Sequence, residues 1–173
     1  MLGRPVPVDQ EIAAATFKAH LEELWASGRP QRSGWRLIPL DALHAVVELP
    51  ATRPEHPVEP YYLRLGAEYY DAWPVTAVFA DQKDWSEAAA GSRWIPKIVS
   101  PPFEFALHVG YSYPAEYKFH QLLCFTGTAN YYMVDHTPQE HQVWTSERHT
   151  VSHTIARMAE VLAHPYYGGP SAA

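Results

Sequence analysis

The chain has 173 residues, of which 47% are hydrophobic and 18% are charged, and its formal net charge is −6 with histidine counted as neutral. This length is typical of one domain, and the composition is too apolar and too aromatic for intrinsic disorder. The acidic balance and the scarcity of clustered lysine and arginine argue against nucleic-acid binding.

No apolar run approaches the ~20 residues that a membrane span requires, so no membrane partner is expected. Residues 1–5 lack the apolar stretch of a signal peptide. Cys124 is the only cysteine, which excludes an intramolecular disulfide and a cysteine-rich zinc site. The sequence therefore predicts a soluble cytoplasmic protein with a reduced thiol and no metal.

The first predicted element is a helix over residues 9–26. Asp9 is placed to cap its start, and Gly28 with Pro30 marks its end. Its stripe recurs at helical spacing, which is typical of a helix packed against a sheet. The stripe consists of Ala13, Phe17, His20, Leu21 and Leu24.

Four strand-like segments follow, at residues 35–40, 43–49, 61–66 and 75–79. In the last three, apolar and other residues alternate with the period of two that half-buried strands require. The stretch Pro50–Pro60 carries four prolines and is expected to be a surface loop. This part of the chain predicts a four-stranded antiparallel meander.

Residues 80–110 interrupt this pattern and are predicted to be an insertion. We expect a short helix around residues 85–90, followed by a strand over residues 103–109. In that strand, alternate residues would share one face. These residues are Phe103, Phe105, Leu107 and Val109.

The last predicted element is a helix from about residue 147 to residue 163, capped by Thr145 or Ser146 and ended by Pro165. Residues 126–143 are polar and predict a loop, and residues 165–173 predict a short tail. The sequence as a whole indicates one α+β domain, with helices packed against a single antiparallel sheet.

Cys124 is the leading candidate for chemistry, because a thiolate is a strong nucleophile and a cysteine near a histidine is a recurring catalytic arrangement. The alternative is an inert core cysteine, which the apolar neighbours Leu122, Leu123 and Phe125 favour. His120 precedes Cys124 by four residues and would polarise a carbonyl or orient a proton if the two met in a loop.

Two other histidines have metal-ligand spacing. His149 and His153 lie four residues apart on the last predicted helix, but no third ligand accompanies them. They share a polar face with Arg157 and Glu160, so we interpret this face as solvated. The nucleotide-binding glycine motifs and the G-x-S-x-G motif of α/β-hydrolases are missing from the sequence.

The order of these features resembles the ubiquitin-conjugating (E2) family and its UBC fold: an N-terminal helix, a four-stranded meander, a cysteine-bearing loop and a C-terminal helix. The resemblance covers most of the chain and depends on the shared order of degenerate motifs. In the predicted strands, Asp41-Ala42-Leu43-His44 resembles the family's D-N-L-F-H-W, and Tyr61-Tyr62-Leu63-Arg64-Leu65 resembles F-x-L-x-L; residues 69–79 follow, with Pro74 on the first proline of the family's pair. Around the cysteine, Leu123-Cys124-Phe125 resembles I-C-L. Toward the C-terminus, Trp144 with Thr150-Val151 resembles W-S-P-x-L-T-I, and residues 162–165 resemble L-L-x-x-P.

The chain also departs from the family pattern. Tyr113-Pro114-Ala115 stands where the family has H-P-N, so the asparagine that supports the oxyanion or its loop is missing. His120 would then take the place of that donor. These departures resemble divergent bacterial E2-like proteins that occur with a ubiquitin-like protein and an E1-like enzyme, often in antiphage defence.

The resemblance implies that Cys124 accepts a ubiquitin-like protein from an E1-like enzyme as a thioester and passes it to a lysine of a target protein. No cofactor is implied. Asp135 or His136 would prepare the acceptor amine. Two alternatives stay open: a catalytically inactive UBC-like or RWD-like interaction module, and a small α+β domain that binds a ligand among its aromatic residues.

Overall fold

A computed structural model describes residues 3–172 of the chain. Its helices and strands lie in separate runs along the chain, an α+β arrangement around one main hydrophobic core. In chain order, the elements are α1 (Gln10–Ala26), α2 (Arg29–Ser33), β1 (Arg36–Pro39), β2 (His44–Ala51), β3 (Glu59–Gly66), β4 (Thr76–Phe79), β5 (Pro96–Ile98), β6 (Ala106–His108), β7 (Leu122–Cys124), α3 (Ala129–Tyr132), a 3-10 turn (Glu140–Gln142), α4 (Val151–Val161) and β8 (Tyr167–Pro170).

The first helix forms as its sequence pattern predicts. The Asp9 side chain accepts hydrogen bonds from the first backbone N–H groups of α1, which are otherwise unpaired. Ala13, Phe17, Leu21 and Leu24 are buried against the sheet. The stop after Ala26 is confirmed, but the short helix α2 follows it at once, because a proline in the first turn is compatible with a helix start.

The four-stranded antiparallel meander is also confirmed, with the strand order β1-β2-β3-β4. Its central pair, β2 and β3, is in register over eight residues, with Val47 opposite Leu63. Both strands extend into the proline-rich segment that was expected to be loop, so only residues 52–58 connect them. Since α1 and α4 contact each other beside β2, they cover one face of this sheet.

The other face of the sheet is covered as well, which the sequence pattern did not predict. All four residues of β4 are buried, so this strand does not have the expected exposed face. The segment after β4 folds back over the sheet, and the rings of Trp85 and Trp94 pack on Tyr62. The helix predicted around residues 85–90 is wrong: Trp85 has a φ of 61°, and Ala80 pairs with Glu87 in an isolated bridge.

The strand predicted over residues 103–109 is reduced to the three residues of β6, which pair with β7. The predicted shared face is wrong, because Phe103 is 85% exposed whereas Phe105 is buried. The chain turns at this point, with Glu104 at a φ of 61°. The turn rotates Phe103 away from the core that Phe105 enters.

The C-terminal part differs from its prediction in three places. Helix α4 begins at Val151 and is capped by Thr150, because residues 145–149 form a separate turn in which the Thr145 carbonyl accepts from the N–H groups of Arg148 and His149. The predicted loop over residues 126–143 contains α3 and a 3-10 turn. The predicted tail contains β8, which pairs with β5 of the insertion. Within residues 3–172 there is no helix of the length and apolarity that a bilayer span requires.

Candidate active site

The strand that carries Cys124 is joined to the sheet by side chains rather than by a backbone ladder. Strand β4 is the last strand of the sheet, and its outer edge would otherwise leave backbone groups unpaired. The buried Gln121 amide accepts from the Phe79 N–H at 2.8 Å and donates to the carbonyls of Phe79 at 2.8 Å and Ala88 at 3.0 Å. These bonds hold the start of β7 against the end of β4.

A second side-chain amide, that of Asn130, bonds the chain to β4 on the other side of Cys124. The Asn130 side chain is completely buried, and its Oδ1 accepts from the Ala77 N–H at 2.9 Å. Its Nδ2 has no hydrogen-bond partner among residues 3–172. Between these two amides the chain passes through Cys124, so the position of the thiol relative to the sheet is set from both sides.

Helix α3 is attached directly to the strand before it. The Thr128 Oγ1 caps α3 by accepting from the Tyr131 N–H, and it donates to the Leu123 carbonyl at 2.9 Å. This arrangement places the Tyr131 carbonyl close to the end of β7.

Cys124 and His136 form a hydrogen-bonded pair. The distance from Cys124 Sγ to His136 Nε2 is 3.2 Å, and His136 Nδ1 lies 3.0 Å from the Tyr131 carbonyl oxygen. Because a carbonyl oxygen only accepts, Nδ1 carries the proton, and Nε2 of the neutral ring presents its lone pair to the thiol. The two rings of His136 and Tyr131 stack at 4.1 Å with an interplanar angle of 21°, which fixes the imidazole plane.

The ionisation of the thiol follows from its surroundings. Partial burial raises the pKa of Cys124 above the ordinary value for cysteine. The sulfur therefore carries its proton near pH 7, and it needs a base before it can act as a nucleophile. His136 Nε2 is placed to be that base.

The pair lies in a cleft of about 1130 Å³. Its charged lining residues are Arg29, Glu104, Arg157 and Glu160. Arg157 is neutralised by Glu160 at 2.7 Å, and Arg29 lies over the Trp35 ring. Glu104 accepts from the neutral amide of Gln142, and no ion pair involves it within the described part of the chain.

The predicted site residues are brought together in part. His136 joins Cys124, but Asp135 is exposed and lies 3.5 Å from Arg4 in an ion pair. His120 is exposed and is not among the residues that line the cleft. Its backbone N–H donates to Glu87, and its carbonyl accepts from the Tyr111 N–H. His120 lies in a bend before β7, outside the strand that carries Cys124.

His149 and His153 do not lie on a freely solvated helix face. His149 precedes α4, its ring stacks on Trp144, and its Nδ1 accepts from the Thr145 N–H at 3.2 Å. His153 and Arg157 line the cleft. Among the residues from 3 to 172, no three side chains of histidine, cysteine, aspartate or glutamate converge as metal ligands would.

Several residues of the site were not found from the sequence. Tyr131 acts through its backbone carbonyl and ring, and Gln121 and Asn130 act by replacing a neighbouring strand. Glu104 reaches the cleft only because of the turn before β6. The one available signal was Gln121, a polar residue directly before the apolar pair Leu122-Leu123, because such a residue needs partners when it is buried.

Comparison of the chain with protein-family models, with curated proteins and with solved structures gave no significant match. The fold and the site together define an α+β protein with a cysteine–histidine pair in a cleft beside a four-stranded sheet.

Proposed function

We propose that this protein is an E2-like conjugating enzyme, which carries a ubiquitin-like protein as a thioester on Cys124 and transfers it to a primary amine. The observation that carries the proposal is the contact of 3.2 Å between Cys124 Sγ and His136 Nε2 in an open cleft. The position of Cys124 after a helix and a four-stranded meander, and before Trp144 and α4, supports the E2-like form of acyl transfer.

In the charging step, His136 Nε2 takes the proton of the Cys124 thiol as the sulfur attacks the carbonyl carbon of the E1 thioester. The bond between that carbon and the E1 sulfur then breaks, and the leaving thiolate takes the proton from the imidazolium. One thioester replaces another, so the step needs no further energy source.

In the transfer step, an amine attacks the thioester carbon, and the Cys124 thiolate leaves. The acceptor loses the proton of its ammonium form to solvent before it attacks, and His136 Nε2 then takes one proton from the attacking amine and returns it to the Cys124 thiolate. The carboxylate of Glu104 lines the same cleft and attracts an incoming ammonium group. We assign the acceptor side to His136 and Glu104 rather than to Asp135, whose side chain pairs with Arg4 outside the cleft lining.

The segment that resembles H-P-N has a supporting part in this proposal. The Tyr113 hydroxyl donates to the Gln121 carbonyl at 2.7 Å, which ties the loop to the strand that carries Cys124. This bond takes over the loop-supporting contribution of the missing asparagine. His120 has no part in the proposed chemistry.

The test is a trap in the native host. Cys124→Lys would form an amide with the modifier that survives reductant, whereas the wild-type thioester would be lost on reduction. Intact-mass measurement of the purified proteins should reveal a protein-sized adduct on Cys124→Lys, and Cys124→Ala serves as the control without a nucleophile.

An unmodified mass for Cys124→Lys contradicts the proposal. If Cys124 of the native wild-type protein also resisted alkylation, the inactive interaction module would be the better interpretation. An adduct that persists on Cys124→Ala would place the attachment elsewhere and would contradict the assigned nucleophile.

A further inference from the structure

We infer that the protein also hydrolyses acyl thioesters on Cys124, with His136 as the base that activates water. This second activity rests on the acylation of Cys124 proposed above, but it does not depend on the identity of the acyl group. It would make the charged protein short-lived whenever no amine occupies the cleft.

The argument starts from the lone pair on His136 Nε2. In the free protein this lone pair accepts the Cys124 S–H at 3.2 Å. After acylation the sulfur has no proton to donate, so the lone pair becomes free beside the thioester. The acyl carbon lies one bond from Sγ, and a water held by Nε2 is therefore next to the carbon that it would attack.

The base is held in this position independently of the thiol. The Tyr131 carbonyl accepts from Nδ1–H at 3.0 Å, and the Tyr131 ring stacks on the imidazole. Tyr131 belongs to α3, which Thr128 ties to the carbonyl of Leu123. Cys124 and His136 are thus both held by β7 and α3, which are hydrogen-bonded to each other. Loss of the S–H contact therefore does not release the imidazole.

Water reaches the pair from solvent. His136 is exposed, Cys124 is partly exposed, and the cleft between them and α4 has a volume of about 1130 Å³. An acceptor that filled this space would exclude the water and direct the acyl group to its amine. Without one, water is the nucleophile in the site.

The reaction balances without a further reactant. The water oxygen attacks the acyl carbon as Nε2 takes one of its protons, and a tetrahedral intermediate forms. The carbon–sulfur bond then breaks, the imidazolium returns the proton to the Cys124 thiolate, and the acyl group leaves as a carboxylic acid.

The test uses a chemically defined acyl group. The full chain is charged by exchange with an excess of the mercaptoethanesulfonate thioester of acetyl-glycyl-glycine at about pH 9, near the ordinary thiol pKa, so that charging depends less on a base. The charged protein is desalted into buffer near pH 7 without amines, and its decay is followed by intact-mass measurement.

Decay of the wild-type thioester should be at least about 10-fold faster than that of His136→Gln, because a general base typically contributes about 10²–10⁴-fold. His120→Gln is the matched control, since it makes the same substitution outside the cleft and should decay like wild type. The wild-type rate should also rise with pH through the titration of one group that is missing from His136→Gln, which a merely structural role would not produce.

Equal lifetimes of wild type and His136→Gln, with both proteins charged, would overturn the hydrolytic activity and leave the proposed conjugating function standing. Failure of the wild-type protein to accept the acyl group would overturn both. Slow decay of the thioester on His120→Gln would also overturn the inference, because it would show that His120 contributes to hydrolysis although it lies outside the cleft.

Discussion

The four-stranded sheet and the cleft beside it are held together by different kinds of bond. Strands β2 and β3 pair through a continuous backbone ladder of eight residues. Strand β7, which carries Cys124, has only three residues and pairs on one side with β6. The residues on either side of it are linked to β4 mainly by the side-chain amides of Gln121 and Asn130, with one backbone bond from Ala129 to Val75 just before that strand.

Because of this difference, we expect the sheet to govern the stability of the fold and the cleft to govern the reactivity of Cys124. In the sheet, each residue contributes one of many similar contacts, and the core residues are apolar and buried. In the cleft, single polar groups determine where the Cys124 thiol and the His136 imidazole lie. Substitutions in the two regions should therefore differ in what they change, and the following experiments test that separation, from the largest expected effect to the smallest.

Gln121→Leu should cause the largest loss, because it removes the joint between the two regions. The substitution keeps the volume but leaves the N–H of Phe79 and the carbonyl of Ala88 without their partners, whereas the Phe79 carbonyl still accepts from the Ala88 N–H. At about 1–3 kcal/mol for each buried group, we expect the free energy of unfolding to fall by about 4 kcal/mol. Urea unfolding measures it. Gln82→Leu, which removes a single bond from the exposed Gln82 to the Tyr62 hydroxyl, should change this free energy by less than about 1 kcal/mol. Similar losses for the two variants would contradict the role of Gln121.

His136→Gln should change the chemistry with little effect on stability. Without the base, exchange of Cys124 with a peptide thioester near pH 7 should slow by about 10²-fold, or roughly 2.7 kcal/mol in the barrier. The difference in exchange rate between wild type and His136→Gln should become smaller at higher pH, where the thiol ionises without a base. Because His136 is exposed, the free energy of unfolding should change by less than about 1 kcal/mol. If the difference in exchange rate did not depend on pH, His136 would not act as a base.

His44, at one end of the sheet, should make the free energy of unfolding depend on pH. Hydrogen bonds from the imidazole to Glu68 at 2.6 Å and to Asp41 at 2.9 Å raise the pKa of His44 to about 9. The folded state therefore binds this proton more tightly than the unfolded state, where the pKa is about 6.5. The stabilisation is complete below about pH 6.5 and is lost as the pH rises through about 9.

Solvent reaches a third of the His44 side chain, so we expect the contribution to be about 1–2 kcal/mol after screening. The measurement is urea unfolding of wild type and His44→Gln from about pH 6 to about pH 10. The difference between them should shrink across this range. His56→Gln, in the exposed loop between β2 and β3, should differ from wild type by the same small amount at every pH. A constant difference for His44→Gln would contradict the raised pKa.

Glu104→Gln should have the smallest effect and should act on the cleft alone. The carboxylate of Glu104 attracts an ammonium in a partly solvated site, and such attractions are worth about 0.2–1 kcal/mol. Discharge of the Cys124 thioester to free lysine should therefore slow by about 2-fold to 5-fold. Glu160→Gln is the comparison, because Glu160 is already paired with Arg157. A larger effect at Glu160 would reverse the assignment of the acceptor side.

The sheet was predictable because its pattern is local. The alternation in residues 43–49 and 61–66 and the cap at Asp9 each indicate a structure within a few residues, and β2, β3 and α1 form there. The prediction fails where distant segments meet. The exposed face expected for β4 is buried, and on the neighbouring strand Tyr62 is covered by Trp94, which lies more than a dozen residues beyond β4 and has no signal in the strands themselves.

The candidate site was predictable only as a list of reactive side chains. Cys124 stands out because it is the one cysteine, and His136 was named with Asp135 as an acceptor-side residue. Which histidine meets the thiol depends on α3, whose four residues lie in a stretch that was expected to be loop. His120 is closer in sequence, but it lies in an exposed bend before β7 and does not line the cleft.

The sequence by itself therefore determined the α+β class, the meander and the identity of the candidate nucleophile, because period, caps and composition act over short distances. The tertiary structure decided the partner of that nucleophile, the covered second face of the sheet and the lining of the cleft. These depend on hydrogen bonds between residues far apart in the chain, such as those from Gln121 to Phe79, and a buried polar side chain does not indicate in advance which backbone group it will pair with.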